Sequence, residues 1–420
     1  MSSILLRQVR LLDPISNSDR PCDVWLEDGH IRAVDDHISV DEPDSVTVQD
    51  GRSLVLGPGL VDMYSHSGEP GYESRETLAS LSAAAIAGGF TRISLLPDTD
   101  PALDNPSSVE WVRSHLPTAT PQVNLWGALT LGGKGQQMTE LAELAEAQVV
   151  GFADSQPLQN LLLLRRVMEY TQSLNKPLAL WCCNTELHGN GVMREGHDSL
   201  RVGLPGIPAI AETAALAAVL ECVEMIGTPV HFMRLSTARG VELVAQAKAK
   251  GLPVTASTTW MHVLLNTLSL QSYDPNLHIE PPLGTPADQA ALVQAVASGV
   301  IDAIAIDHAP YTYEEKTVAF AESPPGMIGL ELALPLLWRS LVETGACSAL
   351  ALWRSLSTNP AQCLGQPYPN LAAGQAAELT LFDPAQTWTV TPQAIASLSY
   401  NTPWLGKEIV GRTVQTWLPT

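Results

Sequence analysis

Imidazole and carboxylate side chains recur in this sequence directly after short apolar segments that are typical of β-strands. His66 follows one such segment, Asp154 and Asp307 end two others, and His308 is adjacent to Asp307. In parallel α/β folds the functional groups lie at the carboxyl ends of strands, and these residue types bind metal ions and transfer protons. The pattern therefore predicts a polar site at one end of a sheet. For any one of these residues alone, a side chain that caps a turn is the simpler interpretation.

Eight apolar, strand-like segments alternate with longer stretches rich in Ala and Leu that are typical of helices. Eight repeats of strand then helix predict an α/β fold with a closed (β/α)8 TIM-type barrel over residues 57–364. Residues 1–56 and 365–420 are rich in β-like sequence, and we expect them to form one small β-sandwich domain beside the barrel. The eight segments are LVDMYSH, TRISLLP, VNLWGALT, QVVGFAD, PLALWC, PVHFMRLS, LPVTAST and DAIAIDHA.

The charge balance limits the possible partners, because 44 acidic residues outnumber 23 basic ones and give a net charge of -21 at pH 7. Such a chain repels nucleic acid and anionic membranes and offers an anionic substrate no general attraction. Charged residues interrupt the apolar amino-terminal segment MSSILLRQVRLLDP, which predicts neither a signal peptide nor a membrane span. The six cysteines form no CxxC pair, as is typical of reduced cysteines. We expect a cytoplasmic protein without nucleic-acid or membrane partners.

Several longer segments match, in order, the motifs of one known family. GPGLVDMYSHSGEPG resembles PGLxDxHxHxREPG, LLPDTDP resembles a segment containing MPNTxP, and VVGFADSQP resembles GFSDDGxP. HFMRLSTARGVELVAQAKAKGLPVTASTTWMHVLL resembles HxxHxSTxxxVxxIxxAKxxGxxVTxExxPHHLxL. These are motifs of the dihydroorotases, members of the amidohydrolase superfamily. The chain most resembles the degenerate, non-catalytic dihydroorotase-like chains that accompany aspartate transcarbamoylase.

The resemblance implies a distorted barrel with a small β-sandwich built from both termini. It also implies a site for one or two zinc ions and the reversible opening of the dihydroorotate ring in pyrimidine biosynthesis. In the family, zinc lowers the pKa of a bound water and polarises the ring carbonyl. An Asp on the last strand then moves the proton.

Three metal-ligand positions of the family are degenerate in this chain. The first imidazole of the HxH pair is replaced by Tyr64, the His of the fifth strand by Trp181, and the His of the sixth strand by Arg234. A neutral phenol is a poor ligand, an indole only donates a hydrogen bond, and a guanidinium stays protonated. The resemblance therefore implies that the second metal position is lost and that catalysis is lost with it.

Three ligand positions remain, and they define an alternative. His66 keeps the second imidazole of the HxH pair, Asp154 matches the metal-bridging Asp, and Asp307 matches the last-strand Asp. Three protein ligands and a water form a catalytic zinc pattern. We expect no metal or, at most, one weakly bound zinc on these three residues. Without a metal, Asp307 is a vestigial catalytic residue.

The substrate-binding positions are also degenerate. The carboxylate-binding Arg after HxH is replaced by Gly68, the Asn of MPNT by Asp98, and the Asn before the PPLR motif by Glu280. The Arg of that motif is replaced by Gly284. Two cations are lost and two carboxylates are gained, and an unpaired carboxylate near a bound carboxylate is unfavourable by a few kcal/mol, as an order of magnitude, when desolvated. We therefore expect dihydroorotate to bind poorly.

Arg234 suggests how the barrel tolerates these losses. Two carboxylates close together without a cation would repel each other, so we expect the guanidinium to pair with Asp307 or Asp154, with Trp181 covering it. In the alternative, Arg234 extends to solvent. For His231 and His308, as for any lone His on a strand, packing is the simpler interpretation, whereas His262 matches a family position, which favours a role in the site more than for the other two. Tyr64, Trp181, Trp260 and Met261 could fill the emptied pocket.

These observations predict an inactive dihydroorotase-like pseudoenzyme that serves as a scaffold or non-catalytic subunit for the aspartate transcarbamoylase catalytic chain, in a homo- or hetero-oligomer. Two alternatives remain open. One is a working cyclic amidohydrolase with one metal, acting on dihydroorotate or on an altered substrate. The other is a small-molecule binding module that senses a pyrimidine precursor.

Overall fold

The computed structural model describes residues 3–39 and 46–419. It contains two large sheets, one formed by the middle of the chain and one by its ends. The strands are β1 (Ser3–Asp13), β2 (Ser18–Glu27), β3 (His30–Asp35), β4 (Thr47–Asp50), β5 (Val55–Pro58), β6 (Leu60–Val61), β7 (Phe90–Leu95), β8 (Gln122–Ala128), β9 (Gly151–Ala153), β10 (Leu178–Trp181), β11 (Met193–Arg194), β12 (Gly206–Ile207), β13 (Val230–Met233), β14 (Val254–Thr259), β15 (Ala303–Ala305), β16 (Leu379–Thr389) and β17 (Glu408–Trp417).

The helices follow the barrel strands and cover the outside of the sheet. Threonines cap several of them, as Thr77, Thr237 and Thr285 do for α1, α8 and α10. The helices are α1 (Leu78–Gly88), α2 (Pro106–His115), α3 (Leu141–Glu146), α4 (Leu161–Thr171), α5 (Thr185–His188), α6 (His197–Val202), α7 (Ile210–Ile226), α8 (Ala238–Ala249), α9 (Trp260–Leu264), α10 (Pro286–Ser298), α11 (Tyr313–Lys316), α12 (Ala333–Leu337), α13 (Ala349–Leu356) and α14 (Thr358–Cys363).

The predicted barrel is confirmed. Eight parallel strands lie in the order β6-β7-β8-β9-β10-β13-β14-β15, one for each apolar segment of the sequence. Backbone hydrogen bonds join the two ends of this curled sheet: Asp307 N–H donates to Tyr64 O at 3.0 Å, and His66 N–H donates to His308 O at 2.8 Å. Beside them, the buried Asp62 carboxylate accepts from Ile306 N–H at 2.8 Å. The residues that follow β6 and β15 are therefore held side by side at the barrel mouth.

Both termini contribute to the second sheet, as predicted. Its order is β17-β16-β5-β1-β2-β3, and β4 also pairs with β1. A buried ion pair between Arg92 on β7 and Glu378, at 2.6 Å, ties this sheet to the barrel. The predicted domain boundaries, after residues 56 and 364, stay predictions, and β5 continues into β6 with one residue between them.

One excursion was not predicted. Between β10 and α7 the chain forms α5, α6 and the short parallel pair β11–β12. None of the helices in the described parts of the chain combines the length and the apolar character that a membrane span requires.

Candidate functional site

Four charged side chains from the ends of four barrel strands meet at the barrel mouth. We call His66, Asp98, Arg234 and Asp307 the mouth cluster. Arg234 Nη2 lies 2.7 Å from Asp307 Oδ1 and 3.1 Å from His66 Nε2. His66 Nδ1 lies 2.6 Å from Asp98 Oδ2, and His66 Nε2 lies 3.4 Å from Asp307 Oδ1. The cluster thus pairs two cationic residue types with two carboxylates.

The pKa shifts show that the cluster stabilises its charged forms. Burial alone would raise the pKa of Asp307, but the charge of Arg234 and the contact with His66 outweigh it, and the pKa falls to about 2. Burial would lower the pKa of His66, but Asp98 and Asp307 outweigh it and raise the pKa to about 9. At neutral pH the cluster therefore holds two positive and two negative charges.

Arg234 is buried, so the predicted contact with Asp307 is formed and the extension to solvent is wrong. Its side chain is 5% exposed. The guanidinium carbon lies 5.2 Å from the centre of the Trp181 ring and 5.7 Å from that of Tyr64, so both rings pack on the cation as expected for Trp181. Arg234 and Asp307 have φ values of +57° and +50°, in the left-handed region that such residues rarely adopt.

A hydrogen-bonded chain inside the barrel supports Arg234 and was missed by the sequence analysis. Arg234 N–H donates to Tyr64 Oη at 3.0 Å, and Tyr64 Oη lies 3.0 Å from Ser257 Oγ. Ser257 Oγ lies 2.8 Å from His231 Nε2, and His231 Nδ1 lies 2.8 Å from Thr255 Oγ1. Burial lowers the pKa of His231 to about 3, so its ring is neutral. Ser257 stands where the VTxExxPHHL motif has Glu, and this departure was the available signal.

Asp154 does not join the other two residues predicted as ligands of a single metal ion. Its Oδ1 accepts from Leu129 N–H at 2.9 Å, and its Oδ2 accepts from the Thr130 hydroxyl at 2.6 Å. Burial raises the pKa of Asp154 to about 6. Among residues 3–39 and 46–419, no three His, Cys, Asp or Glu side chains form a group that could hold a metal ion. The residues present therefore do not fit the zinc site that the family implies, because the guanidinium of Arg234 contacts both His66 Nε2 and Asp307 Oδ1, the atoms that would have to bind the ion.

The substrate positions are closed or already paired. A Cβ atom added at Gly68 would lie 2.3 Å from the carbonyl oxygen of Glu76, so this backbone leaves no room for a side chain there. Asp98 pairs with His66 in the mouth cluster, and Glu280 lies 3.1 Å from Nε2 of His188. The two carboxylates that were expected to be unpaired thus have partners, and His188 comes from the unpredicted excursion.

His262 and His308 are buried, and their ring nitrogens face neighbouring residues of the barrel. His262 Nδ1 lies 2.7 Å from Thr259 Oγ1, and its Nε2 lies 3.1 Å from Pro281 O. His308 Nδ1 accepts from Gly329 N–H at 3.1 Å, and its Nε2 faces the buried Glu76 at 3.4 Å. Trp260 and Met261 are buried, and Met261 lines the space above the mouth cluster.

The cavities that the described residues form at the mouth are small. Two adjoining cavities of about 110 and 50 Å³ lie above the mouth cluster. Apart from the cluster, their charged lining residues are Glu280, which pairs with His188, and Arg75, whose Nε lies 3.0 Å from Glu315. The cations that line these cavities therefore lie beside carboxylates of the described residues, and Glu280 lies beside an imidazole.

The comparisons with known proteins agree in fold and in family. A family model for dihydro-orotase-like proteins matches residues 51–239. A probable dihydroorotase-like protein of Synechocystis sp. is 46% identical over 437 residues, covering 97% of this chain and 98% of the relative. A dihydroorotase of Pelotomaculum thermopropionicum is 36% identical, covering 97% of this chain and 95% of the relative.

Solved structures extend the comparison to the fold. The L-hydantoinase (dihydropyrimidinase) of Arthrobacter aurescens superposes with a TM-score of 0.86 at 21% identity, covering 99% of this chain and 94% of that chain. The dihydropyrimidinase of Brevibacillus agri superposes with a TM-score of 0.83 at 18% identity, with the same coverage. At these identities the likeness shows the barrel and the terminal sheet alone.

Proposed function

This chain belongs to the dihydroorotase-like family of the amidohydrolase superfamily, and from that premise we propose that it is a non-catalytic member of pyrimidine biosynthesis. Its role in this proposal is that of a scaffold or non-catalytic subunit for the aspartate transcarbamoylase catalytic chain in the cytoplasm. The observation that carries the loss of catalysis is the position of Arg234, whose guanidinium contacts both His66 and Asp307. A divalent cation on these two residues would have to displace a buried positive charge that stays protonated.

An anionic substrate needs a cation that is free to pair with its carboxylate, and the described residues that line the mouth offer none. The backbone at Gly68 excludes a side chain, and Asp98 and Glu280 bring negative charge to the other substrate positions. The cations that line the cavities are already paired within the site. Binding dihydroorotate would therefore require breaking an ion pair as well as removing water from the substrate carboxylate.

Steady-state assays in both directions, with and without added zinc, test the loss of catalysis. We expect no turnover above background, because Arg234 contacts His66 and Asp307, the residues that would have to bind the ion that activates a water. The dihydroorotase of Pelotomaculum thermopropionicum, prepared and assayed in parallel, is the matched positive control. A kcat on the order of 1 per second or more would contradict the proposal.

The scaffold role rests on the resemblance and on a fold that is retained although its site is altered. Co-expression with the aspartate transcarbamoylase catalytic chain, followed by size-exclusion chromatography, should give a joint peak with a fixed ratio of chains. The same partner mixed with the dihydroorotase of Pelotomaculum thermopropionicum is the control for non-specific association. Separate elution of the two chains at micromolar concentration would count against a scaffold.

A second candidate is an active cyclic amidohydrolase, which is favoured by the dihydroorotase names of relatives that are 35–37% identical to this chain. The small cavities at the mouth favour a third, a binding module for a small molecule. Turnover in the zinc-supplemented assay would select the second candidate. Calorimetric binding of dihydroorotate or carbamoyl aspartate without turnover would select the third.

A further inference from the structure

The barrel floor, at the opposite end from the mouth cluster, carries a polar cleft of about 310 Å³. We call it the floor cleft. Residues at the amino-terminal ends of β8, β9 and β10 frame it, and its charged lining residues are Arg113 and Lys176. No Asp or Glu of the described residues lines it, although the chain has 44 acidic and 23 basic residues. Five carboxamide side chains complete its polar lining: Gln122, Asn124, Gln148, Asn175 and Gln366.

Both cations are fixed in place without being neutralised. Arg113 Nη2 donates to Gln148 O at 2.8 Å, and Lys176 Nζ donates to Val149 O at 2.8 Å. A second nitrogen of Arg113 donates to Ala147 O. These carbonyls belong to three successive residues, so one turn of backbone holds both side chains. Neither cation forms an ion pair with a residue in the described ranges, and both are only partly buried.

The two positive charges act on each other. Burial lowers the pKa of Lys176, and the charge of Arg113 lowers it further. The guanidinium of Arg113 and the ammonium of Lys176 repel each other, because no acidic side chain of the described residues lines the cleft. An oxyanion between them would relieve this repulsion. The ammonium and guanidinium groups keep further N–H donors that can form charge-assisted hydrogen bonds to such an anion.

Two residues that line the floor cleft also have an unusual backbone conformation. Gln148, whose carbonyl accepts from Arg113, has a φ value of +59°. Asn175, which precedes Lys176 in the sequence, has a φ value of +49°. Asn adopts this left-handed region more often than most residues, whereas Gln rarely does. Strained conformations of this kind cluster at binding sites, where the surrounding structure holds them in place. Both residues line the floor cleft beside its cations.

We propose that the floor cleft binds the phosphate or carboxylate group of a small polar molecule, with the oxyanion between Arg113 and Lys176 and the rest of the molecule against the carboxamides. This site is separate from the mouth cluster and does not depend on the proposed function. If no oxyanion binds in the floor cleft, the scaffold proposal is unaffected. If the chain turns over dihydroorotate, the proposed oxyanion site in the floor cleft is unaffected.

Isothermal titration calorimetry of the full chain with three probes tests the proposal: inorganic phosphate, ribose 5-phosphate and succinate. We expect at least one probe to bind with a 1:1 ratio. Arg113→Gln and Lys176→Gln should each weaken that binding about tenfold or more, because each removes a charge-assisted contact. The probe that binds most tightly identifies the source of the oxyanion as free phosphate, a phosphate ester or a carboxylate.

Two controls separate charge from folding. Lys407→Gln removes an exposed lysine elsewhere and should change the affinity less than about twofold. Arg113→Lys keeps the charge and should bind within a few-fold of the parent, while thermal unfolding confirms that each variant is folded. No binding of any probe by the parent below about 10 mM, or equal binding by Lys176→Gln and Lys407→Gln, would overturn the proposal.

Discussion

Replacing Arg234 with methionine tests whether the guanidinium stabilises the barrel mouth in place of a metal. The side chains of Arg234 and Asp307 are 5% and 6% exposed, and their charged atoms lie 2.7 Å apart. Methionine keeps an apolar chain beside Trp181 but removes the hydrogen bond to Asp307 and the contact with His66. Asp307 is then left with His66 Nε2, at 3.4 Å, as its cationic partner.

The expected decrease in the free energy of unfolding follows from the burial of the Arg234–Asp307 ion pair. Removing one partner of a buried ion pair costs about 3–5 kcal/mol, because the other charge stays desolvated. Two features of the structure reduce this figure. His66 still attracts Asp307, and Arg234 Nε is a buried donor without a hydrogen-bond partner in the described residues, so its removal is favourable. We therefore expect Arg234→Met to lower the free energy of unfolding by about 3 kcal/mol.

The chain offers a matched surface control. Arg239 Nη1 lies 2.8 Å from Glu242 on the exposed face of α8, with side chains 55% and 61% exposed. Arg239→Met makes the same chemical change at a solvated pair and should cost less than about 1 kcal/mol. The difference between the two variants isolates the effect of burial.

Denaturant unfolding in buffer with a chelator, followed by both fluorescence and circular dichroism, measures these free energies. The double variant Arg234→Met/Asp307→Asn should recover part of the loss, because the stranded carboxylate is removed together with its partner. The reasoning is refuted if Arg234→Met is no more destabilising than Arg239→Met. An additive double variant would show that Asp307 is not the group left without a partner.

Three further predictions concern metal, pH and packing. Neither zinc nor a chelator should shift the unfolding midpoint of the parent, since no described group of ligands binds the ion, and a zinc-dependent rise reversed by chelator would contradict this. Glu331 accepts from Ala396 N–H and Ser397 N–H, and burial raises the pKa of its carboxyl from 4.5 to about 7. The folded state therefore binds the extra proton, and this contribution to stability is lost as the pH rises from about 4.5 to 7. Glu331→Gln should flatten the stability profile by up to about 3 kcal/mol over that interval, and parallel profiles for variant and parent would be evidence against it. Tyr64→Phe should cost about 1–2 kcal/mol because it leaves Arg234 N–H without a partner and removes one of the two contacts of Ser257, whereas Tyr368→Phe at an exposed site should be neutral; equal effects in thermal unfolding would argue against the internal hydrogen-bonded chain.

The positions of the strands were predictable because each barrel strand is a short apolar segment followed by a helix-like stretch. That regularity also placed Tyr64, Arg234 and Asp307 at strand ends, and charge predicted that Arg234 pairs with Asp307 or Asp154 without deciding between them. The partners of Asp98 and Glu280 were not predictable in the same way. His188 reaches Glu280 from the excursion between β10 and α7, whose course depends on tertiary packing rather than on a repeated pattern.

For Asp154 the sequence identified the position of the residue but not the contacts of its side chain. Its position in the motif was identified, yet its carboxylate turns toward the backbone at Leu129 and Thr130. A motif fixes where a residue lies along a strand but not which neighbour its side chain bonds. Buried carboxylates require hydrogen bonds, and here backbone N–H groups and a hydroxyl supply them without a metal.

The residues that depart from the family motifs at the mouth contact one another. The phenol of Tyr64 occupies the barrel interior and is hydrogen-bonded to Ser257, at the position where the family motif has Glu. The guanidinium of Arg234 needs both the carboxylate of Asp307 and the ring of Trp181 beside it. A single reversion such as Arg234→His would therefore supply one imidazole but leave the phenol and the indole in place. At Tyr64, Trp181 and Arg234, where the family motifs have metal ligands, this chain carries groups that fill volume or balance charge, which supports the proposal of a non-catalytic barrel.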